Sequence, residues 1–288
     1  MADVHDGLVR QAHWQGLQVW EVCSTQMLAR ISCFGGQLLC WQPHGQEEVF
    51  WCSRQLQPPR ALRGGVPLCW PWFGPHPQDP GAPAHGLART ARWQLDQASV
   101  LDDGRVRLCL SPSSSLHPGL DLQQELILGG DQLEHAITSH NVGSGPQLLS
   151  QALHSYFRVA DVSAVRVHGL DGVAYLDALQ QHRRFRQHGP WQFQPSCAGG
   201  RADRVYLAVD TPVVLEDPSS SRRLQLACSG GQSLVLWTPG PELGGKMADV
   251  GVDWAQYLCL EAGNVADDAR LLQPGQRHRL QQTIRLLG

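Results

Sequence analysis

The stretch Leu122–Thr138 reads LQQELILGGDQLEHAIT, which is two strand-length runs around Gly129, Gly130 and Asp131. Both runs carry leucine or isoleucine between polar residues, and the turn between them is glycine-rich. Short apolar runs bounded by Gly and Asp clusters are the sequence signal of strands joined in a hairpin. The stretch therefore predicts two consecutive antiparallel strands.

Runs of the same kind recur along most of the chain. Met27–Phe34 and Gln37–Trp41 flank the pair Gly35-Gly36, which predicts another hairpin. The segment Val173–Arg184 could form either a short helix or a hairpin. Further strands are predicted over Val49–Cys52, Val106–Ser111, Gln147–Val159, Val205–Val209, Pro212–Leu215, Leu224–Cys228, Ser233–Trp237, Gln256–Glu261 and Arg279–Leu287.

The order of these runs decides between two kinds of sheet protein. Helical segments of about 10–15 residues do not alternate with the strands, as they do in parallel βαβ folds. We therefore expect an all-β fold, an antiparallel β-sandwich with few short helices. Neither an internal repeat nor a long linker interrupts residues 1–288, which predicts a single domain.

Composition and charge exclude several classes of function. The 288 residues include 23 Lys and Arg against 26 Asp and Glu, a formal net charge of −3. General binders of nucleic acid or of anionic membranes present a basic surface, so neither activity is expected. The N-terminus has no signal-peptide pattern, and no apolar run reaches about 18 residues. The nine cysteines form no C-x-x-C pair, and we expect free thiols in a soluble cytoplasmic protein.

Two segments imitate ligand-binding motifs. Gly240–Met247 nearly matches a phosphate-binding P-loop, but Met247 replaces the hydroxyl that would bind magnesium. Arg183–Arg186 is a local basic patch that is better explained as a solvated strand or turn edge than as an RNA site. The sequence also lacks G-x-S-x-G, H-E-x-x-H and any Cys/His zinc spacing, so we expect no metal ion and no other cofactor.

Two loops combine polar side chains with a rigid apolar frame. Leu62–Pro75 (LRGGVPLCWPWFGP) places Arg63 at the entrance of a wall of prolines and aromatic residues. Pro83–Arg89 (PAHGLAR) carries His85 and Arg89, which could both face a ligand. As isolated residues, however, all three are explained at least as well by ordinary solvated loops.

Two strand-like runs each carry one residue suited to proton transfer. In Gln151–Phe157, strand alternation places His154 on one face, together with Ala152 and Tyr156. A lone histidine there is more often structural than catalytic. In Gln256–Asn264, Glu261 follows an almost wholly apolar run. If it is buried, its pKa rises and a functional role becomes a reasonable hypothesis; if the strand ends there, the carboxylate lies in water.

In this order, the four segments resemble the D-hexose-6-phosphate mutarotases, also called glucose-6-phosphate 1-epimerases, of the aldose 1-epimerase superfamily. The resemblance rests on six ordered matches, from about residue 60 to 265: R-G-G-[IV]-P-x-C-W-P-x-F-G with Arg63–Gly74, H-G-F-A-R with His85–Arg89, L-H-x-Y-F with Leu153–Phe157, D-R-[IV]-Y with Asp203–Tyr206, W-N-P with Trp237–Pro239 and C-x-E-P-G with Cys259–Gly263. Leu87 stands where the family has Phe, and the departures that bear on sugar specificity are Ala84, Thr238 and Ala262.

The resemblance implies a galactose-mutarotase-like β-sandwich and assigns roles to the matched residues. By this resemblance His154 is the catalytic acid and Glu261 the catalytic base. Arg63, Arg89 and Asp203 match positions that line the substrate site, and we expect His85 to bind substrate with them.

We therefore expect an enzyme that interconverts the anomers of a hexose 6-phosphate, with glucose 6-phosphate as the first candidate. The expected partner is a small-molecule sugar phosphate, and the expected state is a monomer. Two alternatives remain: a mutarotase of unphosphorylated aldoses, and a non-catalytic carbohydrate-binding or sensing protein on the same fold.

Overall fold

The structure is a computed structural model that describes residues 8–195 and 198–287. In chain order the strands are β1 (Val9–Trp14), β2 (Leu17–Cys23), β3 (Met27–Ser32), β4 (Leu38–Pro43), β5 (Leu68–Cys69), β6 (Trp93–Val100), β7 (Val106–Pro112), β8 (Leu120–Leu128), β9 (Gln132–Asn141), β10 (Gln147–Leu149), β11 (Gln151–Arg158), β12 (Arg166–His168), β13 (Ala174–Asp177), β14 (Arg183–Arg186), β15 (Trp191–Gln192), β16 (Ala202–Tyr206), β17 (Val213–Asp217), β18 (Arg222–Ser229), β19 (Ser233–Thr238), β20 (Tyr257–Asn264), β21 (Arg270–Leu272) and β22 (Arg277–Leu287). The helical segments are α1 (Gly240–Lys246) and short 3-10 segments at Ala88–Thr90, Ala178–Gln180, Ala198–Gly200, Gly251–Gln256 and Ala266–Asp268.

The strands form two large antiparallel sheets and two smaller ones. The larger has the order β15-β12-β17-β18-β22-β9-β8-β7-β6, and the second has the order β14-β13-β16-β19-β20-β11-β5. Strands β1 to β4 form a four-stranded meander, and β10 pairs with β21. The expected all-β antiparallel architecture with few short helices is confirmed.

The two large sheets face each other across one hydrophobic core. Leu153 and Phe157 of β11 belong to the same buried cluster as Leu280 and Ile284 of β22. Ser155, which lies between these two β11 residues, donates to Oε1 of Gln282 on β22 at 2.9 Å. Because strand side chains alternate, the neighbouring residues of β11 point away from this core and are available for a site on the other face.

The hairpins predicted from glycine-rich turns are confirmed. Strand β8 pairs with β9 from Leu120↔Asn141 to Leu128↔Leu133, and β3 pairs with β4. The open segment Val173–Arg184 is a hairpin, because β13 pairs with β14 around a 3-10 turn. The basic patch Arg183–Arg186 is β14 itself, at the edge of its sheet.

Three strand predictions differ from the structure, and in the first of them Val205–Val209 overlaps its strand at only two residues, because β16 ends at Tyr206. Val49–Cys52 is not a strand: Phe50 bridges Phe157 and Cys52 bridges Gly64, each as an isolated pair. These partners are remote in sequence, so local pattern could not distinguish bridges from a ladder. Gln147–Val159 divides at Ser150 into β10 and β11, which pair in different sheets.

Among the described residues, no helix is long and apolar enough to cross a membrane. The eight described cysteines are free thiols, as expected. Cys197 lies outside the described residues.

Candidate active site

The candidate site lies on the face of the seven-stranded sheet that points away from the central core. Strands β11 and β20 pair so that His154 stands directly opposite Glu261. Nδ1 of His154 lies 3.2 Å from Oε1 of Glu261. The glutamate is 1% exposed and the histidine 8% exposed. The alternative in which the strand ends at Glu261 is wrong, because β20 continues to Asn264.

Burial moves both groups of this pair toward their neutral forms. It raises the pKa of Glu261 well above 4.5, and the negative charge of Asp203 adds to the rise. It also lowers the pKa of His154 well below 6.5, and His85 and Arg89 lower it further. A carboxylate with a raised pKa is a stronger base, and an imidazolium with a lowered pKa is a stronger acid.

Polar atoms in this site are buried without any hydrogen-bond partner among the described residues. They include Nδ1 of His154, Oε2 of Glu261, the hydroxyl of Tyr257 and Nε of Arg89. Buried polar groups are normally paired, since an unpaired one costs about 1–3 kcal/mol. A concentration of unpaired groups on one face is typical of a site shaped for a polar ligand.

Two aromatic side chains pack against the ring of His154. The ring of Tyr156, two residues further along β11, stacks on His154 with centroids 4.7 Å apart and an interplanar angle of 7°. The ring of Trp237 on β19 packs edge-on against the same histidine, with the ring centroids 6.4 Å apart. The ring of His154 is therefore held in one orientation, with its Nδ1 edge toward Glu261.

His85 reaches the site from a loop whose backbone is tightly constrained. Its φ is +66°, and the following Gly86 has φ +79°. A Cβ at Gly86 would lie 1.9 Å from the carbonyl oxygen of Trp70, so only glycine allows this approach. The backbone N–H of Gly74 donates to Nδ1 of His85 at 3.3 Å. Burial, with help from Arg89 and Arg63, lowers the pKa of His85 to about 4. The neutral ring therefore carries its hydrogen on Nε2 and acts as a fixed donor.

Arg63 is anchored by a residue that the sequence did not single out. Its Nε donates to Oδ2 of Asp249 at 2.6 Å, and its Nη1 donates to the Tyr156 hydroxyl at 3.4 Å. Asp249 lies in the connection between α1 and the 3-10 segment Gly251–Gln256. Because Asp249 occupies only the Nε edge, the outer nitrogens of the guanidinium keep donors for another acceptor.

Arg89 and Asp203 complete the set of matched residues. Arg89 lies four residues after His85, in the 3-10 segment Ala88–Thr90, and acts electrostatically on both His154 and Glu261. Asp203 on β16 pairs with Trp237 of β19, which places it on the site face. Its nearest cation is Arg201, at 3.5 Å, rather than the adjacent Arg204. Burial raises the pKa of Asp203.

The structure gathers all six residues singled out from the sequence around one face of the sheet. Sequence reasoning missed Asp249 and also Cys259. The sulfur of Cys259, a ring nitrogen of His154 and a carboxylate oxygen of Glu261 all lie within 4.8 Å of one another. The alternation of β20, which puts residues 259 and 261 on one face, was the available signal for Cys259.

Comparison with known proteins identifies the family of the chain. The family model described as aldose 1-epimerase matches residues 18–285. A curated protein of Salmonella typhimurium, named "Putative glucose-6-phosphate 1-epimerase", is 34% identical over 244 residues, which are 82% of this chain and 79% of that one. A protein of the same name from Escherichia coli is 32% identical over 269 residues, 91% and 87% of the two chains.

Solved structures agree on the fold. A crystal structure described as a "putative mutarotase" from Salmonella typhimurium superimposes with a TM-score of 0.87 at 31% identity, covering 99% of this chain and 95% of that one. A galactose mutarotase-like protein from Clostridium acetobutylicum has a TM-score of 0.68 at 14% identity, with 97% of each chain covered. The expected galactose-mutarotase-like sandwich is thus confirmed, and the chain belongs to the aldose 1-epimerase family, whose enzymes interconvert the anomers of sugars.

Proposed function

We propose that the protein interconverts the α and β anomers of a hexose 6-phosphate, with glucose 6-phosphate as the first candidate. The observation that supports this most directly is the buried cross-strand pair of His154 and Glu261, with Nδ1 and Oε1 3.2 Å apart. The names of the curated relatives point to the same substrate.

Anomer interconversion requires one of the two oxygens attached to C1 to gain a proton while the other loses one. His154 donates a proton to the ring oxygen, and the bond between C1 and that oxygen breaks. Glu261 accepts the proton of the C1 hydroxyl, which becomes the carbonyl of the open-chain aldehyde. After rotation about C1–C2, the reverse transfers close the ring on the other face and restore both residues.

Both transfers are helped by the burial of the pair. The raised pKa makes Glu261 a stronger base toward the C1 hydroxyl, and the lowered pKa makes protonated His154 a stronger acid toward the ring oxygen. Each well-placed proton transfer contributes about 10²–10⁴ in rate. The reaction already proceeds in water, so these two contributions suffice without a covalent intermediate.

The 6-phosphate is assigned to the two arginines. Arg63 and Arg89 both lower the pKa of His85, so both positive charges lie near this ring. Nε of Arg89 is buried without a partner among the described residues. Two guanidinium groups can bind a phosphate dianion through charge-assisted hydrogen bonds, which a neutral sugar does not require.

Two-dimensional exchange NMR on equilibrated glucose 6-phosphate tests the proposal, with glucose and galactose measured in parallel. We expect exchange faster than the buffer blank for the phosphate, and exchange at the blank rate in His154→Ala. Equal efficiency on glucose and glucose 6-phosphate would instead identify a mutarotase of free aldoses. Exchange at the blank rate for all three sugars would identify a binding or sensing protein.

A further inference from the structure

Three potential metal ligands converge at the centre of the candidate site. Cys259 and Glu261 are two residues apart on β20 and therefore share a face. His154 stands opposite Glu261 on the adjacent strand β11. One ligand atom from each of the three lies within 4.8 Å of the others.

The ligand atoms are buried and not committed to other partners. Cys259 is fully buried and Glu261 is 1% exposed. Nδ1 of His154 and Oε2 of Glu261 have no hydrogen-bond partner in the described part of the chain. A nitrogen and an oxygen held in this state, beside a thiol, are the donor types that Zn²⁺ binds.

We infer that His154, Cys259 and Glu261 form an inhibitory binding site for a thiophilic divalent ion such as Zn²⁺. Coordination distances of about 2.0–2.3 Å to N, O and S place the three ligand atoms around one ion after small side-chain shifts. Three protein ligands leave the fourth tetrahedral position for water.

Charge balance favours this assignment. A bound metal ion deprotonates a coordinating thiol outright, and it also binds the carboxylate in its ionised form. One thiolate, one carboxylate and a neutral imidazole cancel the two positive charges of the ion. The resulting complex is neutral, so neither burial nor the nearby Arg63 and Arg89 opposes it strongly. The thiolate also selects Zn²⁺, Co²⁺ or Cu ions over Mg²⁺.

Occupation of this site would stop the proposed proton transfers, because the ion takes the lone pairs of both His154 and Glu261. Cys259 has no part in those transfers. The inhibition rests on the proposed function, whereas binding of the ion does not.

The test uses the purified full-length chain and Co²⁺ as a spectroscopic probe for Zn²⁺. We expect one equivalent of Co²⁺ to give a sulfur-to-cobalt charge-transfer absorption that Zn²⁺ abolishes and Mg²⁺ leaves unchanged. Cys259→Ser should lose this absorption. Cys69→Ser is the matched control and should retain it, since Cys69 is an equally buried thiol on the same sheet face, 3.5 Å from Nδ1 of His85.

The activity arm measures anomer exchange with and without Zn²⁺. Wild type should be inhibited and should recover with EDTA, whereas Cys259→Ser, measured against its own metal-free rate, should resist inhibition at least about tenfold better. If Cys259→Ser does not fold, Glu261→Gln serves for the binding arm and should weaken Co²⁺ binding by at least about tenfold.

The outcomes separate the two proposals. Absence of the absorption in wild type, or its persistence in Cys259→Ser, overturns the metal site whatever the enzyme does. A Cys259-dependent absorption in a protein without exchange activity upholds the metal site and overturns the proposed function.

Discussion

Nε of Arg63 and Oδ2 of Asp249 lie 2.6 Å apart, although the two residues are 186 positions apart in sequence. The ion pair ties the loop that precedes β5 to the connection that follows α1. Both side chains are partly shielded, with 26% and 33% of their surfaces exposed. Asp249 thereby sets the direction in which the remaining guanidinium donors of Arg63 point.

Asp249→Ala should weaken binding of the phosphorylated sugar without slowing turnover. A charged hydrogen bond at this exposure contributes about 1 kcal/mol, which corresponds to about a fivefold rise in KM for glucose 6-phosphate. Asp249→Asn retains an acceptor for Nε and should recover most of the loss. Arg63→Ala should raise KM further. An unchanged KM in Asp249→Ala, measured by exchange NMR over a substrate series, would show that Asp249 does not position Arg63.

Replacing either member of the buried pair should remove activity and leave the fold intact. His154→Ala and Glu261→Gln should each lower kcat by about 10²–10⁴, the contribution of one proton transfer. Glu261→Gln keeps the side-chain shape but removes a buried ionisable group, so its thermal stability should equal or exceed that of wild type. Loss of activity accompanied by loss of the folded state would instead indicate a structural role for the pair.

The pH dependence of kcat/KM should be bell-shaped. The active form of the pair carries one proton, shared between His154 and Glu261. On the acid side this form takes up a second proton at the lowered pKa of His154. On the alkaline side it loses its single proton at the raised pKa of Glu261. The acid limb should therefore lie below pH 6.5 and the alkaline limb well above pH 4.5. Rates should be corrected for the substrate phosphate, which titrates near about pH 6. An acid limb above pH 6.5 would contradict the lowered pKa of His154.

Local pattern was enough to predict the hairpins and to place the candidate residues on strands. Strand alternation put His154 and Tyr156 on one face, and the structure stacks their rings. What local pattern could not supply was partners from distant parts of the chain. The anchoring of Arg63 by Asp249, and the meeting of Cys259 with His154, both depend on how separate strands and loops assemble. The pKa shifts of the pair depend on burial, which is likewise a tertiary property.

A second buried histidine predicts how the protein responds to acid. His135 is fully buried between the sheets, and its Nε2 contacts Oε1 of Gln124 at 3.1 Å. Burial lowers the pKa of His135 from 6.5 to about 3. The imidazole of His135 therefore becomes protonated near pH 6.5 in the unfolded chain but only near pH 3 in the native chain. Because the unfolded state binds this proton first, the free energy of unfolding decreases as pH falls through this window.

The loss attributable to His135 approaches about 4–5 kcal/mol at the acid end of that window. His85 and His154 act in the same direction. His135→Gln should reduce the decline in the free energy of unfolding between pH 6.5 and 4, measured by urea denaturation. His44→Gln, at an exposed histidine, is the control and should decline like wild type. Equal slopes in His135→Gln and wild type would exclude His135 as a source of acid sensitivity.

Gly86 is the backbone position on which the loop carrying His85 and Arg89 depends. The amide of Leu87 donates to the carbonyl of Trp70 at 2.7 Å, and this close approach leaves no room for a side chain at residue 86. Gly86→Ala combines a positive φ of +79° with a contact of 1.9 Å. Strain and overpacking together should cost about 3 kcal/mol and lower Tm by several degrees.

Because the loop must move to accept this methyl group, Gly86→Ala should also raise KM for glucose 6-phosphate by displacing His85 and Arg89. Gly145→Ala is the matched control, since its φ is not positive and its Cβ would meet nothing within 4 Å. The control should stay within about 0.5 kcal/mol of wild type and keep its KM. If Gly86→Ala lowers Tm but leaves KM unchanged, the loop's contribution is to stability alone and the assignment of His85 and Arg89 to substrate binding fails.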